Sequence, residues 1–529
     1  MVARYLLTNF AARGSVLLSK RGRANVAAVF PNASASAVRP YDEIPGPKPL
    51  PLIGNAWRFL PYIGSFDISD FAKWSSSLLA DYGKIVKISN IPGRKDMVLI
   101  YDPDMIAEVY KNEGQWPTRF VIESVKYFRD KVRPDFFEGY QGLVNENGEK
   151  WQQARTVANQ PMMRIEVANL YVPKSDEVSK DFVKLAKQLR GSNMEMPEDF
   201  KNEINKWALE SISLIALDTR LGCLQLNLAK DSEAQQMIDA VINVFNLSFE
   251  LDFKLPIWKL IATKELKEFI KYEEDILRIS SKYVEQAMQK IGDLNAPETP
   301  DSSFLHRILK REPSKKRAVI LGMDTILAGV DTTANSAAMV LYYLAKNPKA
   351  QEKLYQEVKS VVPTNPNESI TSSHLNKMKY MRACLKEAMR LAPVTTGNVR
   401  RLDKDIVLDN YLIPKNKADL FMFNSTLYSQ DEYYPRAKEF IPERWLREDI
   451  SECPVNKKAH QVHPYVYKPF GHGVRQCPGM RFANMEIETL IARMLLSFKL
   501  EWHQPDVKLV SKALQGPISP LKYTLIDRK

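Results

Sequence analysis

The stretch "FGHGVRQCPG", residues 470–479, sets Cys477, one of four cysteines in the chain, in a loop with three glycines, a proline and Arg475. A lone cysteine most often packs as a small buried hydrophobe. That reading leaves the glycines and the arginine without a role, since glycine serves where a backbone must adopt conformations closed to other residues or approach another group closely. The alternative is a thiolate presented as a ligand. Cysteine sulfur is a soft donor for iron, and a thiolate beneath haem favours cleavage of the oxygen–oxygen bond above it. Arg475, two residues away, is then placed to pair with a haem propionate.

The chain has room for such a centre. At 529 residues and 45% hydrophobic it can bury a large core, and length alone allows about three domains. The cysteines at 223, 384, 453 and 477 form no close pair, which argues against a zinc cluster or a disulfide framework and fits a reducing compartment. The net charge of +12 invites a nucleic-acid reading, but Arg4, Arg13, Lys20, Arg21, Arg23 and Arg39 all precede the first acid, Asp42. Charge gathered on a short tail is not a nucleic-acid face. The tail is arginine-bearing, serine- and alanine-containing and acid-free, the composition of a mitochondrial transit peptide, with a disordered basic arm as the alternative. Arg4 and Arg13 interrupt its apolar residues, so it does not supply the ~20 apolar residues of a membrane span.

In "YDEIPGPKPLPLIGN" the prolines at 45, 47, 49 and 51 forbid helix and make an extended lead-in. No repeat or comparable linker follows. The expectation is a transit peptide over 1–40 and one large domain over 41–529. "SDEVSKDFVKLAKQLRG", "INKWALESISLIALDTRLG", "KEFIKYEEDILRISSKYVEQAMQKIG" and "QEKLYQEVKSVV" repeat apolar residues at three and four, the helical period. Strand signals cluster in two places: "KIVKISN" with "DMVLIYD" predicts one hairpin, and "DIVLDNYLIPKNKADLF" predicts another. The fold class is mainly α with a minor β region.

Residues 318–348 predict a helix on the order of 45 Å long at ~1.5 Å per residue. Its middle carries Ala328 and Gly329, then Asp331, Thr332 and Thr333, inside an apolar run. Glycine there costs about 0.5–1 kcal/mol relative to alanine, and threonine can bond back to the preceding turn and bend the axis. A kinked core helix accounts for this; so does a helix with a polar catalytic patch.

Together these residues resemble a family. F-G-x-G-x-R-x-C-x-G is the haem signature of the cytochrome P450 superfamily, met here by Phe470, Gly471, Gly473, Arg475, Cys477 and Gly479, and the resemblance runs over essentially everything after residue 40. It implies a cytochrome P450 fold, a single haem-binding domain holding haem b, Cys477 as the axial iron ligand and Phe470 packed near it. The central helix then looks like the oxygen-activation helix, with Asp331 and Thr332 relaying protons and the gap beside Gly329 leaving space for oxygen. Glu387 and Arg390, with Arg444 of "FIPERW", resemble the family's structural ion trio. Trp151 and Arg155 of "WQQAR", and Arg400 rather than its neighbour Arg401, resemble residues that face the haem edge.

Within the family the chain looks most like insect mitochondrial members, on "EGQWPTRF" and "WALESISLIALDTRLGCL" among others. That implies a monooxygenase on the matrix side of the inner membrane, fed by a [2Fe-2S] ferredoxin with a ferredoxin reductase upstream. Arg382, Lys386 and Arg481 occupy the places where such members dock the acidic ferredoxin, with Met480 standing where many have a second arginine. The resemblance also implies a lipophilic small-molecule substrate, steroid-like or foreign, met by residues 121–137, 241–261, 394–399 and 514–519 and the central helix. The apolar run Phe245, Phe249, Phe253, Ile257 and Trp258 is a candidate for peripheral membrane contact, or else for core or pocket lid. A ferredoxin-independent isomerase or dehydratase and a haem sensor are the competing classes; Thr332 and the basic face disfavour the first, and no output domain supports the second.

Overall fold

The computed structural model describes residues 38–528 apart from 61, 292–296, 313, 364, 366–367, 447–454 and 456–458. The transit-peptide reading, but for residues 38–40, and Cys453 lie outside the described residues.

Helices dominate. The chain enters along an extended proline-rich segment and forms α1 (Phe71–Tyr82), the strands β1 (Ile85–Ile88) and β2 (Asp96–Ile100), α2 (Pro103–Lys111) and the short α3 (Glu123–Tyr127) and α4 (Gly142–Asn145). There follow α5 (Gly148–Met163), α6 (Ile165–Leu189), α7 (Phe200–Ala216), α8 (Glu233–Phe253), α9 (Lys264–Ile291) and α10 (Phe304–Arg311). The predicted long helix is α11 (Lys315–Lys346), continuous through its polar middle. The Ser314 hydroxyl caps its start, and Pro348 begins the next helix, α12 (Pro348–Val361). Most of α11 is buried, because α7, α9, α10, the later α14 (Lys379–Leu391) and α15 (Met480–Ser497) all pack on it. Between α12 and α14 lies α13 (Ser372–Lys377).

The minor β region carries one correction. β4 (Ile406–Leu408) and β5 (Tyr411–Ile413) form the predicted hairpin, and Asp409 and Asn410 both take positive φ in its two-residue turn. β6 (Ala418–Met422), read as part of that hairpin, instead pairs parallel with β2, Val98 beside Leu420, and antiparallel with β3 (Asn398–Arg400). The sheet order β1-β2-β6-β3 brings Arg400 to one edge. β6 is buried at every position, the mark of a central strand rather than a hairpin arm.

The 245–258 run divides between the two roles open to it. Phe249 and Trp258 are core, with Phe249 and Phe253 packed on Phe71 and the Trp258 indole donating to Leu251 O at 2.8 Å. The large hydrophobic side chains exposed there are aliphatic, Ile257, Leu260 and Ile261, with Lys254 and Lys259 exposed among them. Among the described residues no helix is long and apolar enough to cross a membrane.

Candidate functional site

The Cys477 loop is held by its own backbone. Cys477 N–H donates to Phe470 O at 2.9 Å, Gln476 N–H to Gly473 O at 3.0 Å, and Gly471 and Gly473 sit at φ 74° and 72°. α15 starts three residues after the cysteine, with Gly479 as its N-cap. Burial pushes the thiol above its ordinary range, while the amides of Gly479 and Met480 and the guanidiniums of Arg155 and Arg119 pull it back toward thiolate. Cys477 is half-buried and keeps accessible surface.

Four guanidiniums crowd beside this loop. Arg475 lies over the Trp151 ring at 3.7 Å and donates to Pro117 O, Glu146 O and Asn147 Oδ1. Arg155, one turn after Trp151 on α5, donates to Gln476 O at 2.6 Å, but its buried Nε has no partner. Arg400 pairs with Glu113, whereas its neighbour Arg401 is taken by Asp419 through two 2.9 Å bonds. The fourth, Arg119, is one that sequence reasoning passed over. It donates to Val144 O and stands in the field of Arg400, Arg155 and Cys477. Burial, then mutual repulsion, pushes Arg119 down to about 10 and Arg475 down to about 8. Guanidinium does not shed its proton in a protein, so a buried, mutually repelling cluster of this kind favours an anion beside it.

On α11, Ala328 is exposed although Leu327 and Val330 beside it are buried. The Thr332 hydroxyl donates back to Ala328 O at 2.6 Å. Asp331 pairs with Lys201 of α7 at 3.3 Å, another partner the sequence did not suggest. Gly329 is not beside an open gap: a Cβ there would lie 2.6 Å from Ile212 Cγ1 of α7. The glycine lets two helices close together, and the bare surface belongs to Ala328.

Glu387, Arg390 and Arg444 are fully buried. Glu387 accepts two 2.9 Å bonds from Arg390, one from Arg444 at 2.9 Å, and others from Trp445 Nε1 and Ile441 N. The excess positive charge is met by carbonyls, Tyr428 O and Ala437 O among them, and by the Tyr434 ring under both arginines. Of the three surface cations, Lys386 and Arg481 are exposed, while Arg382 is half-buried and donates to Leu375 O and Asn376 O at the end of α13.

The donor set fits a haem. Among the described residues no group of three or more His, Cys, Asp or Glu could hold a metal, so Cys477 suits a metal that arrives with its other ligands. A dianionic edge suits four guanidiniums, one with an orphaned nitrogen. The model described as Cytochrome P450 matches residues 44–525. The chain is 36% identical over 503 residues to "Cytochrome P450 CYP12A2" of Musca domestica, covering 92% of this chain and 91% of that protein. It is 35% identical over 487 residues to "Probable cytochrome P450 301a1, mitochondrial" of Drosophila melanogaster, covering 92% and 87%. With "Cytochrome P450 12b1, mitochondrial" of Drosophila acanthoptera identity is 32% over 472 residues, covering 88% and 85%.

Proposed function

The chain belongs to the cytochrome P450 family of haem-thiolate monooxygenases, and from that premise we propose that it is a mitochondrial, ferredoxin-fed member that hydroxylates a lipophilic small molecule, steroid-like or foreign. The observation that carries this reading is an amide-lined Cys477 beside an anion-seeking arginine cluster, in a chain whose central helix carries a bare Ala328 next to a bonded Thr332. Cys477 would hold the iron, and Trp151, Arg119, Arg155, Arg400 and Arg475 the propionate edge. Haem, when bound, supplies the activation of dioxygen that places one oxygen atom in the substrate and the other in water. The protein supplies the rest. Thr332 Oγ1 holds a proton at the turn beside Ala328, Asp331 and Lys201 form a charged pair from which it can be renewed, and the apolar faces of α8 and α11 exclude water.

Two relatives named mitochondrial, a basic acid-free tail over 1–40 and exposed cations at Lys386 and Arg481 support a matrix-side enzyme docking an acidic [2Fe-2S] ferredoxin. The exposed aliphatics Ile257, Leu260 and Ile261 are the surface for peripheral contact with the inner membrane. The test is spectroscopic, then enzymatic. Reduced holoprotein under carbon monoxide is expected to show the red-shifted absorbance of thiolate ligation, and Cys477→Ala to lose it. Reconstituted with ferredoxin and its reductase, the protein is expected to give hydroxylated products from steroid or insecticide-like panels by mass spectrometry. Retention of the band in C477A, or product without ferredoxin, overturns the reading.

A further inference from the structure

Glu113 lies just beyond α2, 287 residues before Arg400, and the fold brings the two together as a buried ion pair. Its carboxylate is also wedged against the thiolate loop: a side chain at Gly473 would put its Cβ 2.5 Å from Glu113 Oε1. Arg400, so gripped, lies over the Tyr110 ring and reaches His472 O at 3.5 Å. Burial raises the Glu113 carboxyl above its ordinary range, and Arg400 and Arg475 oppose that rise. Among the described residues it is the one carboxylate hydrogen-bonded to any of the four clustered arginines.

Charge counting gives this residue a purpose beyond packing. Arg119, Arg155, Arg400 and Arg475 bring four positive charges to the loop, and a haem brings two carboxylates to that edge. Two positive charges remain uncancelled without Glu113, and one with it. Reduction of the ferric centre adds one electron and no proton, so it becomes easier as the nearby positive charge grows. We propose that Glu113 is a positioning and tuning residue for the cofactor: clamped between Arg400 and Gly473, it holds the cluster in register and keeps the haem reduction potential below the value the arginines alone would set.

The inference rests on Cys477 ligating haem, and the experiment separates the two. Spectroelectrochemical titration of the ligand-free holoprotein at one pH compares wild type with Glu113→Gln, which keeps an acceptor for Arg400 Nε and removes the charge. The expected result is a shift to more positive potential in E113Q, with the reduced carbon monoxide band unchanged. An unshifted or more negative potential overturns the proposal, because a merely structural role does not move the potential in this direction. Should E113Q lose haem, Glu113→Asp must hold haem at the wild-type potential; its failure to do so overturns the proposal equally. Absence of the band in wild type would instead defeat the functional reading itself.

Discussion

Lys201 Nζ, in the first turn of α7, stands 3.3 Å from Asp331 Oδ1 in the middle of α11, and it also donates to Asn205 Oδ1 at 2.7 Å. The pair is partly exposed, at 21% and 15% of side-chain surface, so it connects the interior of the central helix with solvent. Asp331→Asn removes the acid and keeps the shape. Turnover is expected to fall on the order of 10²-fold, the usual scale for losing a positioned proton donor, with the reduced carbon monoxide band intact. Lys201→Met should act in the same direction and more weakly. Product formation per electron, measured in the reconstituted system, checks both; wild-type turnover in D331N would remove Asp331 from the proton path.

The buried trio makes a stability prediction. Glu387 is the shared acceptor of two guanidiniums that have no exposure, and Glu387→Gln strands positive charge in the interior. A loss of about 3–5 kcal/mol is expected, large against the 5–15 kcal/mol that holds most domains folded. Urea unfolding monitored by tryptophan fluorescence measures it, and an unchanged midpoint would show that the carbonyls around Arg390 and Arg444 suffice alone.

What was legible in the chain was local. Helical period, the Cys477 loop and the i,i+3 spacing of Glu387 and Arg390 are read within a few residues of one another, and the structure reproduces these elements. What escaped was set by long-range topology. β6 alternates no differently in a hairpin arm than in a central strand, and only its pairing with β2 tells them apart. Gly329 reads as an open gap until Ile212 arrives from another helix. Arg119 and Glu113 were both visible in "EGQWPTRF", but their meaning depends on Val144, Arg400 and Gly473, far away in the chain. The available signal was a charged pair flanking a proline, too common to weigh.

Glu486 of α15 sets a pH dependence. It is buried, one oxygen has no partner, and burial alone lifts its carboxyl to about 8 from an ordinary value of 4.5. Between pH 4.5 and 8 the folded protein keeps a proton that the unfolded chain has released. Stability contributed by the neutral form is therefore full below that window and is lost as pH rises through it, by up to roughly 1.4 kcal/mol per unit. Glu486→Gln cannot ionise and lacks this slope. Denaturation of both proteins from pH 5.5 to 8.5 should show wild type falling more steeply; parallel curves would mean that the carboxyl ionises at its ordinary value.

The proposed docking face can be separated from the fold by comparing its three cations. Lys386 of α14 and Arg481 of α15 are exposed, whereas the Arg382 guanidinium is committed to two carbonyls at the end of α13. Charge reversal at Lys386 or Arg481 is expected to slow ferredoxin-driven haem reduction roughly tenfold at low salt, an encounter effect of complementary charge. The deficit should vanish toward 1 M salt, where the screening length shrinks to about 3 Å. Substrate binding, read from the Soret shift, should not change. Arg382→Glu breaks helix-end hydrogen bonds as well, so it should lower the unfolding midpoint in addition to the rate. Stopped-flow reduction across a salt series distinguishes these cases, and a K386E deficit that persists at high salt would place the ferredoxin on a different face.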